Sequence, residues 1–224
     1  MSVSARPSPA VEDYAKAIYS LEHGGGGPVT TSDLAGRLGV SAASASGMVK
    51  RLGQMGLVAH EPYRGVSLTP AGERVALEVI RHHRLLELLL ADLGVPWDRV
   101  HEEAEVLEHH ISEELEELIA TRFGDPSRDP HGDPIPSADL EIEEGPAARL
   151  ESMEPGEAGL FVRVSDSDPE VLRHLEQLGV APGTAFTVVR REPFGGPLVV
   201  DFGPAGEHSL APGLTRAMRV EPKG

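Results

Sequence analysis

The residues with the clearest chemical potential lie between His101 and His110, in the run His-Glu-Glu-Ala-Glu-Val-Leu-Glu-His-His. Wound as one helix, His101, Glu105, Glu108 and His109 fall at i, i+4, i+7 and i+8, on a single face. Val106, Leu107 and Ile111 then fall opposite and are expected in the core. An earlier segment repeats the i, i+4 spacing with His83 and Glu87. Imidazoles and carboxylates converging from two helices are how a helical protein builds a metal site. The chain has no Cys, so the donors are oxygen-rich with some nitrogen, which suits six-coordinate Mn2+ or Fe2+ better than structural Zn2+. A face rich in Glu and His is also commonly just solvated. Two such faces in one chain, one holding an adjacent Glu-His pair, favour the metal reading. His82 and His110 sit about 100° around the helix from these faces and are expected beside the ligands or in solvent. His60, His174 and His208 read as ordinary surface residues.

The elements that must position these donors set the next question. A chain of 224 residues can hold one large domain or several small ones with real cores. Its formal net charge of −16 argues against nucleic acid until the distribution is considered. Residues 1–75 carry a net +1 and the remaining 149 residues a net −17, so the N-terminal part is free to approach phosphates. No run approaches membrane-spanning length, and the first residues lack the apolar core of a signal peptide. A cytoplasmic location and no membrane partner are therefore expected.

Ser8-Pro9 reads as an N-cap with proline at the first helical position, opening a helix that ends in the glycine run 24–27. A short helix, Asp33–Leu38, capped by Thr31 or Ser32, the turn Gly39-Val40 and a longer helix capped by Ser41 follow. Strands at 56–58 and 66–69 flank the turn Pro62–Gly65. Together these make a winged helix-turn-helix. Ser41, Ala42, Ser44 and Ser46 give its second helix a small, hydroxyl-rich N-terminus able to approach a major groove, while Lys50, Arg51 and the wing's Arg64 fit phosphate contacts. The bland alternative is a winged helix kept for protein contacts alone. The next helix, from Thr69-Pro70 to about Leu93, carries more leucines at 85–90 than one stripe needs, which points to a second subunit. Residues 125–137 form a proline-rich loop, and 138–156 are acidic and punctuated by Pro and Gly. From Gly159 onward short strands alternate with Gly-Pro turns, and one helix, Pro169–Leu178, interrupts them; that reads as a small β-barrel of SH3 type. The expected class is mainly α with a β domain. Its parts are a winged helix at 1–75, a helical metal-binding and dimerisation domain at 76–143, a linker at 144–156 and an SH3-like barrel at 157–224.

In this order of parts, and in Glu12-Asp13-Tyr14, His83-Arg84-Leu85-Leu86-Glu87, Glu105-x-x-Glu108-His109 and Pro130-His131-Gly132-x-Pro134-Ile135-Pro136, the chain resembles the diphtheria toxin repressor family. Within it, the sequence looks most like the manganese transport regulators. The resemblance implies a metal-dependent DNA-binding regulator, a homodimer on a double-stranded DNA operator, repressing metal-uptake genes. It implies a primary metal site from Asp13, His83, Glu105, Glu108 and His109. Iron-sensing members place Met where Asp13 stands and Cys where Glu105 stands, so the two carboxylates here point to Mn2+, with Fe2+ the alternative. One departure is Lys16, where small manganese regulators carry a Glu, and it counts against their two-manganese cluster. A second site is implied from Glu87, His101 and His131, with Asp129 and a barrel residue. Asp168 is the expected donor from the barrel, and Asp166 or Glu170 the substitutes.

Two other readings compete. A di-metal hydrolase on the same Glu/His face would need an open coordination position and a placed acid or base, and no further His/Asp motif supplies one. A winged-helix regulator of an organic ligand would leave the acidic face merely solvated. The expectation is therefore a non-enzyme without an organic cofactor, in which Asp13 couples the DNA-binding half to the helices that pair the subunits.

Overall fold

The computed structural model describes residues 6–25, 28–61, 65–145, 147–166 and 168–223, with the side chains of residues 60 and 61 outside that description. The chain forms two compact units. One contains residues 1–83, 108–112 and 136–141; the other contains 84–107, 113–135 and 142–224.

The first unit opens with α1 (Pro9–Gly25), α2 (Thr31–Leu38) and α3 (Ala42–Gln54), followed by the hairpin β1 (Val58–Glu61) and β2 (Gly65–Leu68). Its helix starts are fixed by side chains. Thr30 and Asp33 form a reciprocal capping box on α2, one residue before the expected cap, and the Ser41 hydroxyl accepts from the Ser44 amide on α3. Between them Gly39 takes a left-handed φ of 65°, a conformation that makes the tight turn easy for glycine alone. Val11, Ile18, Leu34, Ala45, Val49, Leu52 and Val66 make one buried cluster, so α3 has its apolar side committed and its polar side outward. Ser41, Ala42, Ser44, Ser46, Lys50 and Arg51 are all exposed, and Arg64 lies outside the described residues. The long helix α4 (Pro70–Asp92) begins in this unit, with Thr69 Oγ1 accepting from the Gly72 amide at 3.2 Å.

The second unit takes in the rest of α4, then α5 (Val100–Leu107) and α6 (Glu113–Arg122). Its sheet comprises β3 (Ala148–Arg149), β4 (Ala158–Val164), β5 (Ala185–Arg191), β6 (Leu198–Asp201), β7 (Glu207–Leu210) and β8 (Met218–Pro222). All pairings are antiparallel, in the order β3-β8-β4-β5-β6-β7, with α7 (Pro169–Leu178) and α8 (Pro212–Ala217) between strands. Phe161, Leu172, Leu175, Val188, Val200, Phe202 and Met218 form its core. Leu150 and Met153, within the stretch read as a linker, are buried in that same core, so the β-domain starts near Ala148. Acidic neighbours masked two anchoring side chains there.

Two expectations about the helices need correction. The run from His101 is not one continuous helix: α5 stops at Leu107, and Glu108, His109 and His110 lie in a turn. Of the three residues expected in the core, Ile111 is 4% exposed but Val106 is 67% and Leu107 40% exposed. With the helix ended, the assumed opposite face no longer exists. Leu93 and Leu118 are likewise exposed apolar side chains of this unit.

Candidate metal centres

The stretch that follows α5 is tied to a residue far earlier in the chain. Arg6, just ahead of α1, donates from Nη1 to the Ile111 carbonyl (2.8 Å) and from Nη2 to the Glu108 carbonyl (3.1 Å). Carbonyls at a helix end lack intrahelical partners, and a guanidinium satisfies them well. The same group bonds Glu12 Oε1 at 3.0 Å and His82 Nδ1 at 2.9 Å. Sequence reasoning counted Arg6 as a charge and gave Glu12 no role. A residue outside any periodic element leaves no pattern to find.

The turn brings Glu108 and His109 against α1. Ligand atoms of Asp13, Glu108 and His109 lie within 4.8 Å of one another. His109 Nε2 faces Asp13 Oδ1 at 3.0 Å and Glu108 Oε1 at 3.6 Å, while its Nδ1 pairs with Glu12 Oε2 at 2.6 Å. Glu12 is 2% exposed and therefore a fixed partner. Engaging Nδ1 with a carboxylate selects the tautomer that leaves the Nε2 lone pair toward Asp13, the usual support behind a ligating histidine. Burial raises the Asp13 carboxyl above its ordinary range, with Glu108 adding to the rise and His109 and Lys16 opposing it.

Lys16 occupies the cationic position in this cluster. Its Nζ donates to both Glu108 oxygens, at 3.0 and 2.8 Å, and lies 3.2 Å from His83 Nδ1. His83 Nδ1 also pairs closely with Glu108 Oε2. Burial alone would lift Glu108, but His83 and Lys16 outweigh it and hold the carboxyl below its ordinary 4.5. A buried carboxylate and imidazole around an ammonium are a donor set suited to a positive ion, which is the fit expected of a metal site. Glu105, expected with these residues, is exposed on α5 and reaches His101 instead, Nε2 to Oε1 3.7 Å. The helical spacing that grouped it with Glu108 breaks at Leu107.

A second cluster lies within the second unit. His101 Nδ1 is 2.9 Å from Asp166 Oδ2 and 3.3 Å from Glu87 Oε1. Burial lowers His101, yet Asp166 and Glu87 overcome it and push its pKa up to about 10. His131 is fully buried, its Nε2 donating to the Trp97 carbonyl at 3.1 Å while its ring stacks on Trp97. Its Nδ1 has no hydrogen-bond partner among the described residues and sits 3.7 Å from Glu87 Oε2. A buried, unpartnered nitrogen facing a buried carboxylate is a donor pair that suits a cation. Burial lowers His131 as well, and Glu87 with Asp129 raises it to about 9.

Asp129 groups with Glu87 and His131, and its Oδ1 accepts the amides of His131 (2.8 Å) and Asp133 (2.9 Å). The loop passes so close to β4 that a Cβ on Gly132, at φ 87°, would lie 1.9 Å from the Val162 carbonyl. Asp168 is not brought to this cluster: it caps α7, accepting the Glu170 amide at 2.9 Å. Proline at the following position makes that cap the natural use of its carboxylate. Asp166 stands beside His101 in its place, and Glu170 is exposed. Of the off-face histidines, His82 is buried against Arg6 and His110 is exposed.

Comparison with known proteins adds three domain matches. Residues 8–66 match the iron dependent repressor N-terminal DNA binding domain, 69–137 its metal binding and dimerisation domain, and 148–222 the FeoA domain. The iron-dependent repressor IdeR of Mycobacterium leprae is 33% identical over 226 residues, 94% of this chain and 96% of that protein. The regulator MntR of Lysinibacillus sphaericus is 38% identical over 106 residues, 47% of this chain and 76% of that one. A manganese-dependent transcriptional repressor solved in complex with manganese is 39% identical, with a TM-score of 0.89 over 95% of this chain and all of that one.

Proposed function

The chain belongs to the iron-dependent and diphtheria toxin repressor family, a family of transcriptional repressors rather than enzymes, and from that premise we propose a Mn2+-activated repressor acting as a homodimer on operator DNA. The observation that carries the proposal is the meeting of Asp13, on a helix of the DNA-binding domain, with Glu108 and His109, from the dimerisation domain. When bound, a divalent cation supplies the positive charge that these carboxylates and imidazoles take up as ligands. Asp13, His83, Glu108 and His109 would hold the primary ion, and Glu87, His101, His131, Asp129 and Asp166 a second.

The protein's own groups prepare that arrangement. Glu12 orients His109, Arg6 fixes the turn that presents Glu108, and Lys16 keeps the buried Glu108 carboxylate compensated. Ligation by Asp13 orients α1 relative to the turn after α5. That constraint fixes how the recognition helices of a dimer are spaced, and reading one face of DNA requires them about 34 Å apart. The exposed hydroxyls at the start of α3, with Lys50 and Arg51, supply base-edge and phosphate contacts. Exposed Leu93, Val106 and Leu118 supply apolar area for pairing. Among the described residues no helix is long and apolar enough to cross a membrane.

The carboxylate at Asp13, and the absence of Cys, favour Mn2+. Fe2+ is the second reading, because relatives spanning 94% of the chain are named iron-dependent. DNA-binding titrations with each ion, anaerobic for iron, separate the two. Asp13→Ala is expected to abolish metal-dependent operator binding while the dimer persists. Metal-dependent binding retained by that variant would overturn the proposal.

A further inference from the structure

The β-domain carries an arrangement that metal sensing does not use. Pairing of β3 with β8 sets Arg149 opposite Arg219, and pairing of β8 with β4 sets Arg163 opposite the same Arg219. Three neighbouring strands thus present three guanidinium groups in one row. Like charges directly opposite in an antiparallel pair are destabilising, so the row works against the sheet that bears it. Arg128 joins it from the loop after α6, and with Glu144 and Gly145 these residues line an open cavity of about 320 Å3.

The neighbours satisfy three of these guanidinium groups, two with carboxylates and one with carbonyls. Arg163 Nη1 pairs with Glu144 Oε2 at 3.1 Å and Asp133 Oδ1 at 3.4 Å, and Arg149 Nη1 pairs with Glu151 Oε1 at 3.4 Å. Arg128 donates to the carbonyls of Gly132 (2.8 Å) and Glu144 (3.5 Å). Arg219, at the centre, is half-buried and has no hydrogen bond or ion pair among the described residues. Burial, then Arg149 and Arg163, push it below the ordinary range of a guanidinium, with Glu151 opposing them in part. The chain is strongly acidic, yet no carboxylate among the described residues forms an ion pair with the central arginine, and Glu151 acts on it only at longer range. Glu144 on Arg163 shows the geometry that an acidic group takes up there.

We propose that Arg149, Arg219, Arg163 and Arg128 form a binding site for a small polyanion bearing phosphate or carboxylate groups. Planar guanidinium forks receive such groups bidentately, and a row of them offers several attachment points to one ligand. The cavity volume exceeds that of a single phosphate and suits a molecule carrying two or three anionic groups.

Calorimetric titration of the metal-free, full-length protein with pyrophosphate and, separately, with citrate tests the site and distinguishes phosphate from carboxylate ligands. Saturable binding of at least one is expected, weakened at least tenfold by Arg219→Gln. Arg216→Gln, which removes an equal charge from the exposed face of α8, is expected to leave the affinity within twofold. In anion-poor buffer Arg219→Gln is expected to melt at or above the wild-type temperature, because it relieves a crowded charge. Absence of saturable binding by both probes, an equal loss from both substitutions, or a lower melting temperature for Arg219→Gln overturns the proposal.

Discussion

Replacing Lys16 by Met keeps the aliphatic stem and deletes the ammonium. The Glu108 side chain is 1% exposed and the Lys16 side chain 19%, so the pair is well inside the first unit. Removing one member of a buried ion pair costs roughly 3–5 kcal/mol, and His83 remains beside Glu108, so the lower figure of about 3 kcal/mol applies. For a chain of this size the melting temperature of the metal-free protein should fall by roughly 6–12 °C. The metal-loaded protein does not share that loss, since Lys16 must leave Glu108 before the carboxylate can serve as a ligand. By linkage, the difference reappears as affinity, making Mn2+ binding roughly hundredfold tighter in Lys16→Met. Scanning calorimetry of the metal-free protein and titration calorimetry with Mn2+ measure the two halves. An unchanged melting temperature, or a lowered one without tighter Mn2+ binding, would refute the reasoning.

Three further outcomes follow from the same geometry. Glu12→Gln should weaken Mn2+ binding roughly 10–100-fold by loosening His109, with operator binding recovered at saturating metal, as titration calorimetry and DNA anisotropy would show. Gly132→Ala must place a Cβ against the Val162 carbonyl at a left-handed φ, so the urea midpoint should drop by the equivalent of roughly 3 kcal/mol. His101 and His131, raised to about 10 and about 9 from an ordinary 6.5, contribute stability that is complete below pH 6.5 and lost as pH rises through those values. Urea midpoints of the metal-free protein should therefore decline between pH 7 and pH 10, and a rise over that window would contradict the assignment.

The winged helix was legible because its signals are local: Ser41 before Ala42, Gly39 at the turn, and apolar residues at helical spacing. That imidazoles and carboxylates would gather was legible from residue type, and they do form two clusters. Their grouping was less so. Periodicity assumes that a helix continues, and nothing between Leu107 and Ser112 announces a stop; the bonds that hold the Glu108 and Ile111 carbonyls come from Arg6, distant in sequence. Lys16 could be read as a departure from a pattern, but its position between Glu108 and His83 is a tertiary fact. The choice between Asp166 and Asp168 turned on which carboxylate the start of α7 would claim, and the residue directly ahead of Pro169 took the cap. Leu150 and Met153 were hidden by acidic surroundings, although two apolar residues three apart were there to be weighed.

The grip of Arg6 on Glu12, His82 and the carbonyls of Glu108 and Ile111 has a practical side. Arg6, just ahead of α1, acts as a strap on the candidate metal cluster, although a domain diagram would draw it in a dispensable tail. Trimming or cleavage that removes Arg6 is expected to disturb that cluster. Loss of response in such a preparation therefore points first to the missing strap.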